Sequence, residues 1–150
     1  EVLYIATCTN PDKEMKERIK LHKKSRPIFW KTINCSKDIV SVLSTLDNKF
    51  EVLVIDCLGL LISNLLEEGL RDHQIQIFLK KITKLISQGK YKAIVVSNDV
   101  GSGIVPDNYL ARRFRDILGL ANQIMAKCAD KVIYIQAGIP MIIKGKGIDC

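Results

Sequence analysis

The chain has 150 residues, of which 47% are hydrophobic and 26% charged, and its formal net charge is +7. This length and balance predict one soluble globular domain with a sizeable core. No apolar run has the length of a membrane span and no signal-peptide pattern opens the chain, so neither a membrane-spanning nor a secreted protein is indicated. Glu1, not Met, stands first and a strand-like segment follows at once, so we expect the natural start to lie further upstream.

The five cysteines argue against a disulfide framework and against a zinc site. They are odd in number, scattered along the chain, and never form a Cys-x-x-Cys pair. Reduced thiols in a cytoplasmic protein are the simplest expectation. The five are Cys8, Cys35, Cys57, Cys128 and Cys150.

A predicted buried strand, residues 2–6, opens the chain and ends at the small polar residues 7–10. Asp12 has the character of a helix N-cap, with a helix predicted behind it as far as Lys24. The segment 11–37 holds nine bases and three acids, a local charge of +6. Such an excess favours an anionic partner. A nucleoside triphosphate, a nucleic acid and a merely solvated helix face all remain open, although no base-stacking motif is visible.

His22 is the candidate functional residue of this helix. Helical spacing places it on the same face as Met15 and Ile19, which predicts that it points along the apolar side. A lone histidine in that position is usually a core residue. The potential phosphate donors at positions 23–26 follow it directly, and they favour an imidazole that meets a phosphate.

The clearest buried strand is Glu51 to Asp56, whose unbroken apolar run predicts a central parallel strand. Asp56 is the first charge at its carboxyl end, and it is open whether this acid serves Mg²⁺ or a nucleotide, or only caps the next helix. Before it, Pro27 ends the first helix, residues 29–33 alternate like a strand, and Ser36 is predicted to cap a short helix.

The remaining elements complete an α/β pattern. Helices are predicted over 58–70 and 74–88, and strands over 91–96, 132–135 and 141–143. The last strand is expected at an edge because Pro140 precedes it. The order β-α-β-α-β-α-α-β-α-β predicts one doubly wound, mostly parallel sheet with an antiparallel edge strand.

The stretch Ser97–Gly119 joins a strand to a long amphipathic helix. A turn bracketed by Gly101 and Gly103 follows the polar strand end, and Pro106 is predicted to lie in the first helical turn. Ligands of open α/β sheets bind outside the carboxyl ends of strands, so this loop is one candidate wall of a site. A plain strand-to-helix connection without chemistry explains the pattern equally well.

Three motifs together resemble one family. They are VLYIAT with ERIKLHKKSRP (residues 2–7 and 17–27), VLVIDCLGLLISNLL (52–66), and the long segment from VSNDVGSGIVPDNYLARRFRDILG to AGIP (96–140). They resemble the bifunctional adenosylcobinamide kinase / adenosylcobinamide-phosphate guanylyltransferases of cobalamin biosynthesis. The resemblance covers nearly the whole chain, in order, and implies a fold of the P-loop NTPase (RecA-like) type.

The resemblance implies two reactions. ATP or GTP, with Mg²⁺, phosphorylates adenosylcobinamide, and GMP from GTP is then joined to that phosphate with release of pyrophosphate. The family histidine that carries GMP corresponds to His22. A cytoplasmic homo-oligomer, a trimer, that uses no nucleic acid is also implied. The positions that match family nucleotide-binding residues are Ala6, Thr7, Cys8, Lys23, Lys24, Ser25, Arg26, Asn34 and Asp56.

The chain departs from the family pattern in several places. Asn34 and Asp99 stand where glutamate is usual, and Gly119-Leu120 replaces Gly-Arg. The family also begins with a strand and a glycine-rich P-loop that these residues lack, so we expect residues 1–150 to be a single nucleotide-binding domain without that unit. Such a fragment is expected to show little kinase activity and weak guanylylation. The alternatives are a nucleotide-binding or regulatory module of the same fold, and a nucleic-acid surface.

Overall fold

A computed structural model describes residues 1–8, 13–46 and 49–146. Within these residues the chain forms six strands and five helices. The strands are β1 (Val2–Ala6), β2 (Lys31–Asn34), β3 (Val52–Asp56), β4 (Lys92–Val96), β5 (Val132–Gln136) and β6 (Ile139–Lys144). The helices are α1 (Lys13–Ser25), α2 (Ile39–Ser44), α3 (Leu58–Glu67), α4 (Asp72–Gln88) and α5 (Tyr109–Cys128).

Strands β1 to β4 form one parallel sheet in the order β2-β1-β3-β4. Strand β3 is paired on both sides, as its continuous apolar run predicts. The chain moves from β1 to β2 in one direction across the sheet and from β2 to β3 and β4 in the other. Since parallel crossovers are right-handed, α1 lies on the opposite face from α2, α3 and α4. The doubly wound α/β prediction is therefore confirmed.

Strands β5 and β6 pair antiparallel and form a two-stranded sheet of their own. The predicted antiparallel strand is thus confirmed. In the part of the chain that the structure describes, this strand, β6, pairs with β5 in a hairpin and does not join the four-stranded sheet. Pro140 lies within β6, opposite Ile135. Lys144 donates to the carbonyls of Ala126 and Lys127 at 2.9 and 3.1 Å, so the hairpin is attached to the carboxyl end of α5.

The hydrophobic core lies between the parallel sheet and four helices. Leu3 and Ile5 of β1 and Leu53 and Ile55 of β3 are fully buried there against α2, α3, α4 and α5. Because strand side chains alternate, Tyr4 faces the other side of the sheet, the side of α1. Helix α1 itself contains no buried residue, so its position owes little to core packing.

Two predicted helix starts are wrong. Helix α5 begins at Tyr109, with the side chain of Asn108 accepting the N–H of Ala111 at 3.1 Å, so Pro106 lies in the loop before it. Helix α2 is capped by Asp38 and not by Ser36. In both cases a better capping side chain stands nearer the helix. Asp12, the predicted cap of α1, lies outside the described residues.

None of the helices that the structure describes combines the length and the apolar character needed to cross a bilayer.

Asn64 is a buried polar residue of helix α3, whose other buried residues are apolar. Its side-chain amide donates to the carbonyl of Thr7 at 2.8 Å and to the carbonyl of Ser36 at 2.9 Å. These acceptors follow β1 and β2 respectively, so one side chain fixes two strand ends to a core helix. A buried carbonyl without a donor is costly, which makes Asn64 a strong determinant of this corner of the fold.

We expect Asn64→Leu to lower the free energy of unfolding by about 3 kcal/mol, because two carbonyls lose their donor while the branched shape of the side chain is kept. Urea denaturation measures this as a lower midpoint at unchanged slope. The neighbouring Ser63→Ala is the control and should change stability by less than about 0.5 kcal/mol. Equal stability of Asn64→Leu and wild type would contradict the assigned role.

Candidate nucleotide site

Three of the predicted site residues lie side by side at the carboxyl edge of the parallel sheet. Ala6, the last residue of β1, is aligned with Asn34 of β2 on one side and with Asp56 of β3 on the other. The chain leaves β1 toward one face and β3 toward the opposite face. This is the topological switch point of the sheet, where ligands of open α/β folds bind.

Thr7 closes the floor of this crevice. It is fully buried, and its hydroxyl oxygen accepts from the N–H of Cys57 and donates to the carbonyl of Cys57, both at 2.8 Å. Its own N–H donates to the carbonyl of Asp56 at 3.0 Å, and its carbonyl accepts from Asn64. The polar groups of Thr7 are therefore used within the protein, and the residue fixes the ends of β1 and β3. Cys8 follows it and is half-buried.

Asp56 is half-buried, and its carboxylate accepts a hydrogen bond from the phenol of Tyr4. Burial and the neighbouring Asp56 carboxylate raise the pKa of the Tyr4 phenol above its usual value. Tyr4 therefore stays protonated at neutral pH and acts as a donor. This contact fixes one oxygen of the only acid that the paired strands place at the switch point.

Arg26 is brought to the same place from a different element. Its guanidinium carbon lies 3.5 Å from the centre of the Tyr4 ring, a cation–π contact. The ring centre of Trp30 lies 6.3 Å from that of Tyr4. One terminal nitrogen of Arg26, Nη1, is buried and has no hydrogen-bond partner among the described residues. Such a donor is rare in folded proteins, and it is available to an acceptor on a bound ligand.

His22 lies on the last turn of α1 and is exposed. The prediction that it points along the apolar side is wrong, although Met15 and Ile19 of that face are half-buried. The reason is that α1 buries none of its residues, so the shared face is not covered along its whole length. Ser25 donates its hydroxyl to the carbonyl of His22 at 2.9 Å and so closes the end of the helix.

The lysines of α1 form a shallow basic groove on the helix surface. Lys23 and Lys24 belong to it, and both are exposed. Cations in the last turn of a helix are also favoured by the helix dipole. The residues that line the groove are Lys16, Ile19, Lys20, Lys23 and Lys24. The groove does not include Arg26, so the structure describes two cationic features: the lysines on α1, and the Arg26 guanidinium against the Tyr4 ring.

The loop after β4 is held in shape by its own polar side chains. The N–H of Gly101 and the hydroxyl of Ser102 donate to the carboxylate of Asp99 at 3.1 and 3.4 Å. The side chain of Asn122 on α5 donates to the carbonyl of Asn98 at 3.0 Å. Val96, the last residue of β4, is aligned with Asp56, so this loop starts beside the crevice.

The described residues contain no group of three or more His, Cys, Asp and Glu side chains placed to hold a metal ion. Burial raises the pKa of the Cys35 and Cys57 thiols, so neither is a thiolate nucleophile at neutral pH.

Sequence reasoning missed Tyr4 and Asn64. Each is a polar group inside an apolar segment, Tyr4 in a buried strand and Asn64 in helix α3. Because buried polar groups need partners, that pattern was the available signal. It does not say which partners, since Asp56 and Arg26 are 52 and 22 positions away from Tyr4 in the sequence.

Comparison with known proteins shows the family of the chain. Residues 1–143 match the family described as cobinamide kinase / cobinamide phosphate guanyltransferase. The bifunctional adenosylcobalamin biosynthesis proteins CobU of Salmonella typhimurium and of Escherichia coli are 34% and 33% identical to this chain, over 96% of it and 86% of their own length. CobP of Pseudomonas aeruginosa is 33% identical, over 97% of this chain and 83% of its own. The chain belongs to the cobinamide kinase / cobinamide phosphate guanyltransferase family.

Proposed function

We propose that this chain phosphorylates adenosylcobinamide with ATP or GTP, and that it transfers GMP from GTP to the resulting phosphate through a covalent adduct on His22. The family description names both activities. The observation that carries the proposal is the position of Arg26, four residues after His22. It is a half-buried cation whose Nη1 has no partner among the described residues, and it contacts Tyr4, the residue that donates to the switch-point acid. A guanidinium with unused donors suits a phosphate ligand.

The transfer needs two displacements at the α-phosphorus of GTP. In the first, a neutral imidazole nitrogen of His22 forms a bond to that phosphorus, the bond to the bridging oxygen breaks, and pyrophosphate leaves. In the second, a phosphate oxygen of the corrinoid forms a bond to the same phosphorus and the phosphorus–nitrogen bond breaks, which returns the histidine. Splitting one difficult step into two is the purpose of covalent catalysis.

The exposure of His22 fits this scheme. A group carrier must meet GTP first and the corrinoid phosphate second, and a surface position on α1 is open to both. The exposed ammonium groups of Lys23 and Lys24 and the guanidinium of Arg26 would bind the phosphates and stabilise the charge that develops on the leaving pyrophosphate.

Mg²⁺ would enter with the nucleotide. Sites of this type usually hold the ion through one or two carboxylates together with substrate phosphates and water, and Asp56 supplies one carboxylate at the switch point. When bound, the ion neutralises phosphate charge. The role of the protein is to orient the Asp56 carboxylate, which the Tyr4 phenol does by donating to one of its oxygens.

A nucleotide-binding module without transferase activity is the second candidate. It is favoured by Asn34, which stands at the switch point where the family resemblance predicts a glutamate, so that one carboxylate is missing there. Both candidates bind GTP at the same edge, so only formation of the adduct separates them.

The first test is the intact mass of the chain after incubation with GTP and Mg²⁺. We expect a GMP-sized, acid-labile adduct on the wild type, because a phosphoramidate hydrolyses in acid, and none on His22→Ala or after chelation of the metal. His73→Ala is the matched control, since His73 is also exposed but lies at the start of α4, and it should keep the adduct. An adduct on His22→Ala would contradict the assignment, and none on any variant would favour the binding module.

The second test concerns the lysines of α1. Removing two charges that bind phosphate should slow adduct formation in Lys23→Ala/Lys24→Ala by about 30-fold, within the range expected for charge stabilisation. Single-turnover rates with labelled GTP measure the effect. Lys80→Ala/Lys81→Ala removes the same charge from exposed positions of α4 and should leave the rate unchanged. Equal slowing of both double variants would indicate only a general effect of net charge.

We further propose that the chain assembles with copies of itself, as the trimer implied by the family resemblance. Large apolar side chains are exposed on the hairpin, among them Ile135, Ile139 and Ile143, each about two-thirds exposed. Exposed apolar patches of this kind mark protein interfaces. Sedimentation equilibrium should show a trimer that Ile139→Lys/Ile143→Lys weakens, and a monomer at all concentrations would contradict the proposal.

A further inference from the structure

We infer that Tyr4 is a positioning residue of the nucleotide site, which holds Arg26 and Asp56 in a fixed relation to each other. The inference rests on the proposed function, since it gives a role to a residue that itself makes no transfer. Tyr4 belongs to β1, two residues before the switch point, and only 6% of it is exposed. It is therefore part of the rigid sheet and not of a loop.

The contact with Arg26 is a cation–π contact with the ring of Tyr4. The charged group lies 3.5 Å from the ring centre, above a strand residue that cannot move independently of the sheet. A cation–π contact does not use Nη1 as a hydrogen-bond donor. The buried Nη1 without a partner is the result. A salt bridge would hold Arg26 as firmly but would use the donors that a phosphate needs.

The contact with Asp56 is made by the hydroxyl of Tyr4 and not by its ring. The phenol donates to one carboxylate oxygen and so fixes the orientation of the acid. The ring and hydroxyl thus contact a cation and an anion at the same time. Arg26 and Asp56 form no ion pair with each other among the described contacts. Tyr4 keeps the two charges close to the crevice without letting them neutralise each other.

Arg26 also depends on this contact more than an ordinary arginine would. It follows α1 directly, and α1 has no buried residue to anchor it. Without the aromatic ring, the guanidinium would sample many rotamers, and binding a phosphate would require ordering a long side chain. An aliphatic side chain at position 4 would fill space on the sheet but would not attract the cation.

The test is a double-mutant cycle on GTP affinity, measured by equilibrium dialysis of the full 150-residue chain with Mg²⁺ and labelled GTP. We expect Tyr4→Leu to weaken binding about 30-fold, and Tyr4→Phe, which keeps the ring and loses the hydroxyl, about threefold. In the Arg26→Met background, Tyr4→Leu should cost only about threefold, because the ring then has no guanidinium to hold. If Tyr4 had only a structural role, Tyr4→Leu would weaken GTP binding by the same factor in both backgrounds.

Val54→Ala is the matched control for packing. Val54 is aligned with Tyr4 on the same face of the sheet and is also buried. It should lower the melting temperature and leave GTP affinity within twofold of wild type, which separates folding effects from positioning. Melting temperatures of all variants are recorded beside the affinities, and Tyr4→Phe supplies the comparison if Tyr4→Leu folds poorly.

Two results would overturn the inference in distinguishable ways. If the wild type binds GTP and Tyr4→Leu weakens binding equally with Arg26 and with Met at position 26, Tyr4 does not act through Arg26 and the inference alone fails. If the wild type binds no GTP at millimolar concentration, the proposed nucleotide site fails and the inference fails with it.

Discussion

The structure depends on one constraint, the fixed register between the carboxyl ends of β1 and β3. Thr7 fixes this register, because its hydroxyl and N–H form hydrogen bonds with the backbone of Cys57 and Asp56. Its carbonyl accepts a further hydrogen bond from Asn64 of the core helix α3. The direction in which the chain adds strands to the sheet reverses at this point, so a crevice opens there and nowhere else along the four described parallel strands. A slip of one residue would send Tyr4 into the helical core and Asp56 off the edge. Stability and site geometry therefore rest on the same few hydrogen bonds.

The different roles proposed for the site residues follow from how far each residue is buried. Residues on the sheet are held by the core and have few conformations, which suits groups that must stay in place. Residues on α1 are exposed and carry most of the charge, which suits groups that must meet more than one substrate. Arg26 belongs to both classes, because it continues α1 but lies on the aromatic ring of a core strand.

Much of this could be predicted from the sequence, and the remainder could not, for physical reasons. The adjacency of Ala6 and Asp56 follows from two short apolar runs that end in polar residues, because buried parallel strands meet at one edge. The exposure of His22 did not follow, since periodicity gives the face of a helix but not what covers it. The start of α5 was misjudged because Pro106 and Asn108 are both good start signals and only the fold decides between them. The partners of Tyr4 are long-range contacts that no local pattern encodes.

Cys57 gives this edge of the sheet a further property. It stands next to Asp56, and its sulfur accepts the N–H of Leu60 at 3.5 Å while burial keeps the thiol protonated. Oxidants and alkylating reagents react with thiolates, so this sulfur should react slowly although it adjoins a crevice meant to admit substrate. A thiolate there would also add a second negative charge beside Asp56 and repel the phosphates of the nucleotide. The fold thus places a cysteine beside its ligand crevice in the protonated form, which is the less reactive one.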